Sequence, residues 1–372
     1  MFTLRALWIS TLLSCVACQY DFNELYEVPD GGAGEGDGGG GGSGGARSSH
    51  LIGLWGNYPA MDDECIQCAE TSCAPAEEAC RADPECMEFT KCVAETPTPA
   101  GLAVCRAQHL AWVTSNEFQV RDGTGPYGQC VFRDFCAREC EGASDLSCVQ
   151  NYAWPLTSEA TVRLTLLLND SEDLKHTLPG VTVKVCPEGD ALCKAPTATG
   201  ASDERGLVQL DLPTTFNRSF NGFIELQEAS LFPTLLKFSW NIGSPTMQVV
   251  TMINRATFDF FSTNYFTFPQ DPTRGILQTR MFGCTGNTTR GVKFASTGSD
   301  AKTFAWYMEN GLPSSTATET SSLGQGGTFN VLTGYQTVTA ARASDGLPVG
   351  RANAPLRAGF ATVVVFAPDG LQ

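Results

Sequence analysis

The sequence predicts a multidomain protein: a small disulfide-rich α-helical module, then two antiparallel β-sandwich modules. Three observations predict it. Eleven cysteines fall between Cys65 and Cys148, on helical spacings. Beyond Trp154-Pro155 the apolar period changes from helical to two. A glycine tract, with 11 glycines among the 15 residues 31–45, separates all of this from the N-terminal end. The boundaries that follow are 1–18 leader, 19–60 tether, 61–156 helical module, 157–254 first β module and 255–372 second β module.

The first element is an export leader. Arg5 is its one charge, and the apolar run from Ala6 to Ala17 is too short to span a bilayer. It ends in Leu12-Leu13-Ser14-Cys15-Val16-Ala17-Cys18, which resembles a bacterial lipobox, where cleavage exposes a cysteine that carries lipid. Parity selects between the two cysteines. Cleavage before Cys18 leaves 14 other cysteines, all able to pair, whereas cleavage before Cys15 leaves one thiol over. Cys18 is therefore the expected lipidated residue, with Cys15 the alternative. The resemblance implies attachment to a membrane through lipid. Gln19 follows Cys18 with no aspartate there, which favours the outer membrane; secretion as a soluble protein is the alternative. The tether is flexible coil and spans roughly 35 Å on average.

The cysteine-rich segment contributes Cys65, Cys68, Cys73, Cys80, Cys86, Cys92, Cys105, Cys130, Cys136, Cys140 and Cys148 as disulfide candidates; Cys186, Cys193 and Cys284 complete the set. An export signal with this many cysteines means disulfides. Asp62 or Asp63 caps a first helix that ends near Pro75. Asp83-Pro84-Glu85 opens a second with a capping carboxylate and proline at the first helical position. Residues 101–113 form another, with His109 on its core face, and 131–140 a last one. Short helices joined by disulfides hold a segment whose own core is small. The spacings Cys65-x2-Cys68-x4-Cys73, Glu77-Glu78-Ala79-Cys80 and Ala82-Asp83-Pro84-Glu85-Cys86 resemble the cysteine-rich modules of myxobacterial-type surface lipoproteins. That resemblance implies no activity.

In the β region, Val162, Leu164, Leu166 and Leu168 alternate with Thr161, Arg163 and Thr165; Val181, Val183 and Val185 alternate with Thr182, Lys184 and Cys186; and Val208, Leu210 and Leu212 alternate with Gln209 and Asp211. Each such strand is expected to have one buried and one wet face. Cys186 and Cys193 flank a short loop and close it. If they pair with each other, Cys284 must reach back to the helical module. The second module echoes the first. Gly180-Val181-Thr182-Val183 returns as Gly291-Val292-Lys293-Phe294. The turn from Asp203 to Gly206 and its strand return as the turn to Gly324 and residues 328–331. Gly222-Phe223-Ile224 returns as Gly334-Tyr335-Gln336. The "G-V-x-V" strand and the Asp203-Glu204-Arg205-Gly206 turn resemble the carboxypeptidase regulatory-like, or transthyretin-like, sandwich. The resemblance implies a non-catalytic accessory module. In the second module the turn lacks the aspartate.

Composition and motifs bound the function. The net charge of −16 disfavours nucleic acid as a partner. The three histidines begin no zinc-hydrolase motif, so neither a metal nor a cofactor is expected. Phe258, Phe260, Phe261, Tyr265, Phe266 and Phe268 form an aromatic cluster that serves either as a ligand platform or as strand and inter-module core. The expected function is that of a non-enzymatic, lipid-anchored protein of the cell envelope, with a structural or adhesive binding role toward a protein or glycan. An accessory binding subunit of an exported hydrolase or polysaccharide system is the alternative. A thiol-redox protein through Cys65 and Cys68 is the third.

Overall fold

The structure is a computed structural model that describes residues 63–95, 99–113, 127–128, 130–131, 136, 146, 148–149, 153–171, 176–214, 219–260, 270–284, 288–309, 312–321 and 323–368. The leader, the tether, Cys15, Cys18, Cys140 and most of the helix expected over 131–140 lie outside the described residues. Among the described residues, no helix is long and apolar enough to cross a membrane. Among the described residues the regular structure is mostly β-sheet, with a few helices and several disulfides.

Helices come first: α1 (Asp63–Ser72), α2 (Ala74–Ala82), α3 (Pro84–Glu95), α4 (Pro99–Gln108) and α5 (Leu110–Val113). The first helix ends at Ser72, close to Pro75 as the sequence suggested. Pro75 itself sits in the first turn of α2, where a missing N–H leaves no bond unmade, and the break falls at Cys73. Asp83 caps α3. Its Oδ1 accepts the Glu85 backbone N–H at 3.0 Å, and its Oδ2 accepts the Trp112 indole N–H at 2.7 Å, which ties α3 to α5. Buried cysteines make up much of the helical core, with Ala69, Tyr127 and Val131. Disulfides join Cys68 to Cys136, Cys73 to Cys130, Cys80 to Cys86 and Cys92 to Cys105.

The β region divides into two halves of sequence. The first holds β1 (Thr161–Asp170), β2 (Thr182–Pro187), β3 (Ala198–Ala201), β4 (Leu207–Pro213), β5 (Gly222–Gln227), β6 (Thr234–Phe238) and β7 (Thr246–Met252). The second opens with α6 (Arg255–Phe260). It continues through β8 (Gly275–Met281), β9 (Val292–Ser296), β10 (Phe304–Glu309), β11 (Leu312–Ser314), β12 (Gln325–Val331), β13 (Gly334–Arg342), β14 (Pro348–Leu356) and β15 (Ala361–Phe366).

Each half repeats one pairing scheme. In the first, β1 is antiparallel to β4 and parallel to β7, while β2 pairs with β5 and β5 with β6. In the second, β8 is antiparallel to β12 and parallel to β15, while β9 pairs with β13 and β13 with β14. The parallel pairs depart from the purely antiparallel sheets expected. The last strand of each half returns beside the first by a long crossover, and only a crossover, not a hairpin, can place two strands parallel.

A matching polar clasp marks the repeat at atomic scale. The Ser202 hydroxyl donates to the Leu178 carbonyl at 2.6 Å and accepts the Val181 N–H at 3.0 Å. The Thr320 hydroxyl donates to the Thr289 carbonyl and accepts the Val292 N–H, both at 3.0 Å. Gly206 and Gly324 follow in the same turn with φ of +72° and +60°. A Cβ on either would run into a backbone carbonyl, of Leu168 or of Met281.

The first core lies between the sheet β4-β1-β7 and strands β2, β5 and β6. Leu164, Leu166, Leu168, Val183, Ile224, Leu236 and Val250 meet there. The strand β1 was expected to have one wet face, but Leu164 through Leu168 are all buried. Its second face is covered by helices: Phe89, Val93 and Cys105 pack on Leu167, Met247 and Val249. A strand covered on both sides has no reason to alternate.

The two halves also share a sheet. Strand β15 pairs in parallel with β8 on one edge and with β6 on the other. A single nine-stranded sheet therefore runs β11-β10-β12-β8-β15-β6-β5-β2-β3 through both halves. A disulfide from Cys148 to Cys284 ties the segment after the helices to the second half, and Leu146 and Val149 beside it are buried in the second core.

Candidate functional site at the joint of the two halves

The strands β2, β5 and β6 turn one face to the first core. On their other face lie Lys184, Phe223, Glu225, Leu235 and Lys237, positions that alternation would leave in water. They are covered instead by the loop that the Cys186–Cys193 disulfide closes and by the turn 357–360 of the second half. Glu225 is only 3% exposed. Its Oε1 accepts from Lys184 Nζ and from Gln227 Nε2, each at 3.0 Å, and its Oε2 accepts from Arg357 Nη1. Arg357 belongs to the second half. It also donates from Nε to the Ala191 carbonyl at 2.7 Å, and its guanidinium lies over the rings of Phe223 and Phe360 at 5.5 and 5.3 Å. One side chain thus binds a strand, a disulfide loop and two rings of the joint. A planar, five-donor guanidinium can do this and an ammonium cannot.

A second polar row runs beside the first. Pro187 stands opposite Gly222, so Glu188 and Asn221 come together where β2 ends and β5 begins. The Asn221 amide Nδ2 donates to Glu188 Oε2, and Asn221 Oδ1 accepts from Lys237 Nζ at 2.8 Å. Lys237 is 5% exposed, and burial pushes its ammonium below the usual lysine range, with the Glu188 charge opposing. Across the joint, burial, then Glu188 and Asp190, raises the Tyr335 phenol.

The residues singled out from sequence are placed as follows. Cys186 is bonded to Cys193 and Cys148 to Cys284. Cys65 and Cys68 are not bonded to each other. Cys68 is held by Cys136, and Cys65 is in a disulfide as well, so the two do not form a local redox pair. Phe258 is core. It is 6% exposed and packs on Phe232 and Phe329 at ring separations of 4.3 and 6.3 Å. Its ring is therefore not offered to a ligand. Phe261, Tyr265, Phe266 and Phe268 lie outside the described residues, as does the side chain of Phe260. His109 Nδ1 lies 3.0 Å from Glu85 Oε2, with its ring edge on Phe89. With Glu88 it forms a trio whose ligand atoms lie within 4.8 Å of one another, close enough to share a cation. The residues of the joint were not legible as a set. Their one trace in the sequence is a lysine inside the otherwise apolar strand Thr234-Leu235-Leu236-Lys237-Phe238.

No family model matches the chain, and no curated protein matches it. Solved structures with local likeness include the Bacillus anthracis TIE protein, at 13% identity and a TM-score of 0.21. That likeness covers 56% of this chain and 34% of the other. A streptococcal ancillary pilin matches at 13% identity and TM-score 0.19, over 58% of this chain and 64% of that one. The shaft pilin SpaA from Lactobacillus rhamnosus GG matches at 13% identity and TM-score 0.18, over 57% and 99%. The chain thus spans less than two thirds of the first two. At such scores the likeness carries no argument about fold or activity.

Proposed function

We infer that the protein is an exported, non-catalytic structural or adhesive component of the cell envelope, held by lipid on Cys18, whose two β-sandwich halves act as one stiff body. The observation that carries this reading is strand β15, hydrogen-bonded to both halves at once. A joint meant to flex would be a linker with few contacts. This one has a continuous sheet and the Arg357 latch. The disulfides support export, because such bonds persist in oxidising compartments. The acidic charge suits an exposed body that stays soluble.

Metabolic labelling with palmitate tests the anchor. The wild-type chain is expected to take up label and stay with the membrane fraction, with its body open to protease on intact cells. Cys18→Ala is expected to lose label and enter the medium, while Cys15→Ala changes neither. Unchanged labelling in both variants would remove the anchor from the account.

A further inference from the structure

We propose that Lys237 and Asn221 form an intramolecular isopeptide bond, with Glu188 as the proton relay. Three observations meet at this point. The Lys237 amine is buried and directed at the Asn221 side chain, with Nζ 2.8 Å from Oδ1. The leaving nitrogen, Asn221 Nδ2, already donates to the Glu188 carboxylate. Three neighbouring strands flank the trio: Lys237 lies in β6, Asn221, which is exposed, immediately precedes β5, and Glu188 immediately follows β2 in the loop that the Cys186–Cys193 disulfide closes. A buried lysine is a nucleophile because desolvation favours its neutral form, and burial is the leading cause of the lowered lysine here.

The reaction balances without a further reagent. The Nζ lone pair forms a bond to Asn221 Cγ, and the carbonyl electron pair moves to Oδ1. Glu188 takes one proton from Nζ and delivers it to Nδ2. The carbonyl re-forms, the Cγ–Nδ2 bond breaks, and ammonia departs. One amide is exchanged for another, and nothing is oxidised or reduced. Positioning supplies what makes the step fast, since amine and amide are held as one molecule. The product joins β6 to the start of β5, beside the disulfide loop. Unlike that disulfide, it survives reduction.

Peptide mapping of the folded, exported full-length chain tests this. The chain is reduced, alkylated and digested under denaturing conditions. A Glu-specific protease cutting after Glu225 and Glu228 puts Asn221 and Lys237 in different peptides. The expected product is one branched peptide, lighter than its two parts by one ammonia (about 17 Da), with Lys237 refractory to trypsin because its amine is acylated. The half-buried Glu188 makes Glu188→Gln a mild change to the fold. That variant is expected to give the two linear peptides while keeping the wild-type circular dichroism, and Asn221→Ala is expected to give linear peptides too. Two linear peptides from the folded wild-type chain would overturn the bond. Branching at the wild-type extent in Glu188→Gln would overturn the relay.

Discussion

Among the described residues, removing the Arg357 guanidinium would leave Glu225 buried with Lys184 as its remaining ion-pair partner and would expose the ring faces of Phe223 and Phe360. Breaking a buried pair from one side strands a charge, so Arg357→Ala is expected to cost about 3 kcal/mol in urea unfolding. Arg357→Lys should recover only part, since an ammonium cannot reach both Glu225 and the Ala191 carbonyl. The turn glycines make a paired test. Gly206→Ala and Gly324→Ala each force a Cβ toward a carbonyl at positive φ, and each is expected to lose about 1–3 kcal/mol. The costs should be similar, because the clasps are. Acid acts on other residues. Arg274 holds Asp300 through two bonds of 2.9 and 2.8 Å and depresses its carboxyl from 3.8 to about 2; Arg342 does the same for Asp345. A depressed folded-state carboxyl binds fewer protons than the unfolded chain. Its contribution is therefore complete above the unfolded value and is lost as pH falls from there toward about 2. Asp300→Asn should flatten the stability profile over that window, and salt should shrink the effect, since these groups are exposed.

At the scale of elements, the sequence was legible where a strand has one wet face or a turn requires glycine. The alternation in β2 and β4 and the glycines before β2, β4 and β9 were readable, and they fall at equivalent places in both halves. The strands β6, β7 and β8 were not readable. They are buried on both faces nearly throughout, so their apolar and polar residues follow no period of two. Strand β14 was hidden by Pro348 and Pro355, which read as loop. The joint was illegible for a different reason: its residues come from β2, β5, β6 and the turn after β14, and no local pattern records such distant pairing. The disulfide between the helical segment and the second half is the exception, since cysteine parity carries across any distance. It spans 136 residues. By the chain-entropy argument a loop that long stabilises by roughly 4–5 kcal/mol, so Cys148→Ser with Cys284→Ser should lower the melting temperature clearly in calorimetry. Loss of Cys80–Cys86, which closes six residues, should matter far less.

In the whole molecule the two halves are expected to unfold together, because β15 belongs to both. Neither core is closed without it. Val365 and Ala367 reach the first core, and Val364 and Phe366 the second. One strand therefore alternates between two hydrophobic interiors, and pulling it out opens both. This leaves little room for a hinge between the halves. Native-state hydrogen exchange on the full-length protein tests it most directly. The amides of β5 and β6 in the first half and of β8 and β15 in the second are expected to exchange through one opening with a common free energy. An opening that releases β8 and β15 while β5 and β6 stay protected, or the reverse, would contradict the single stiff body.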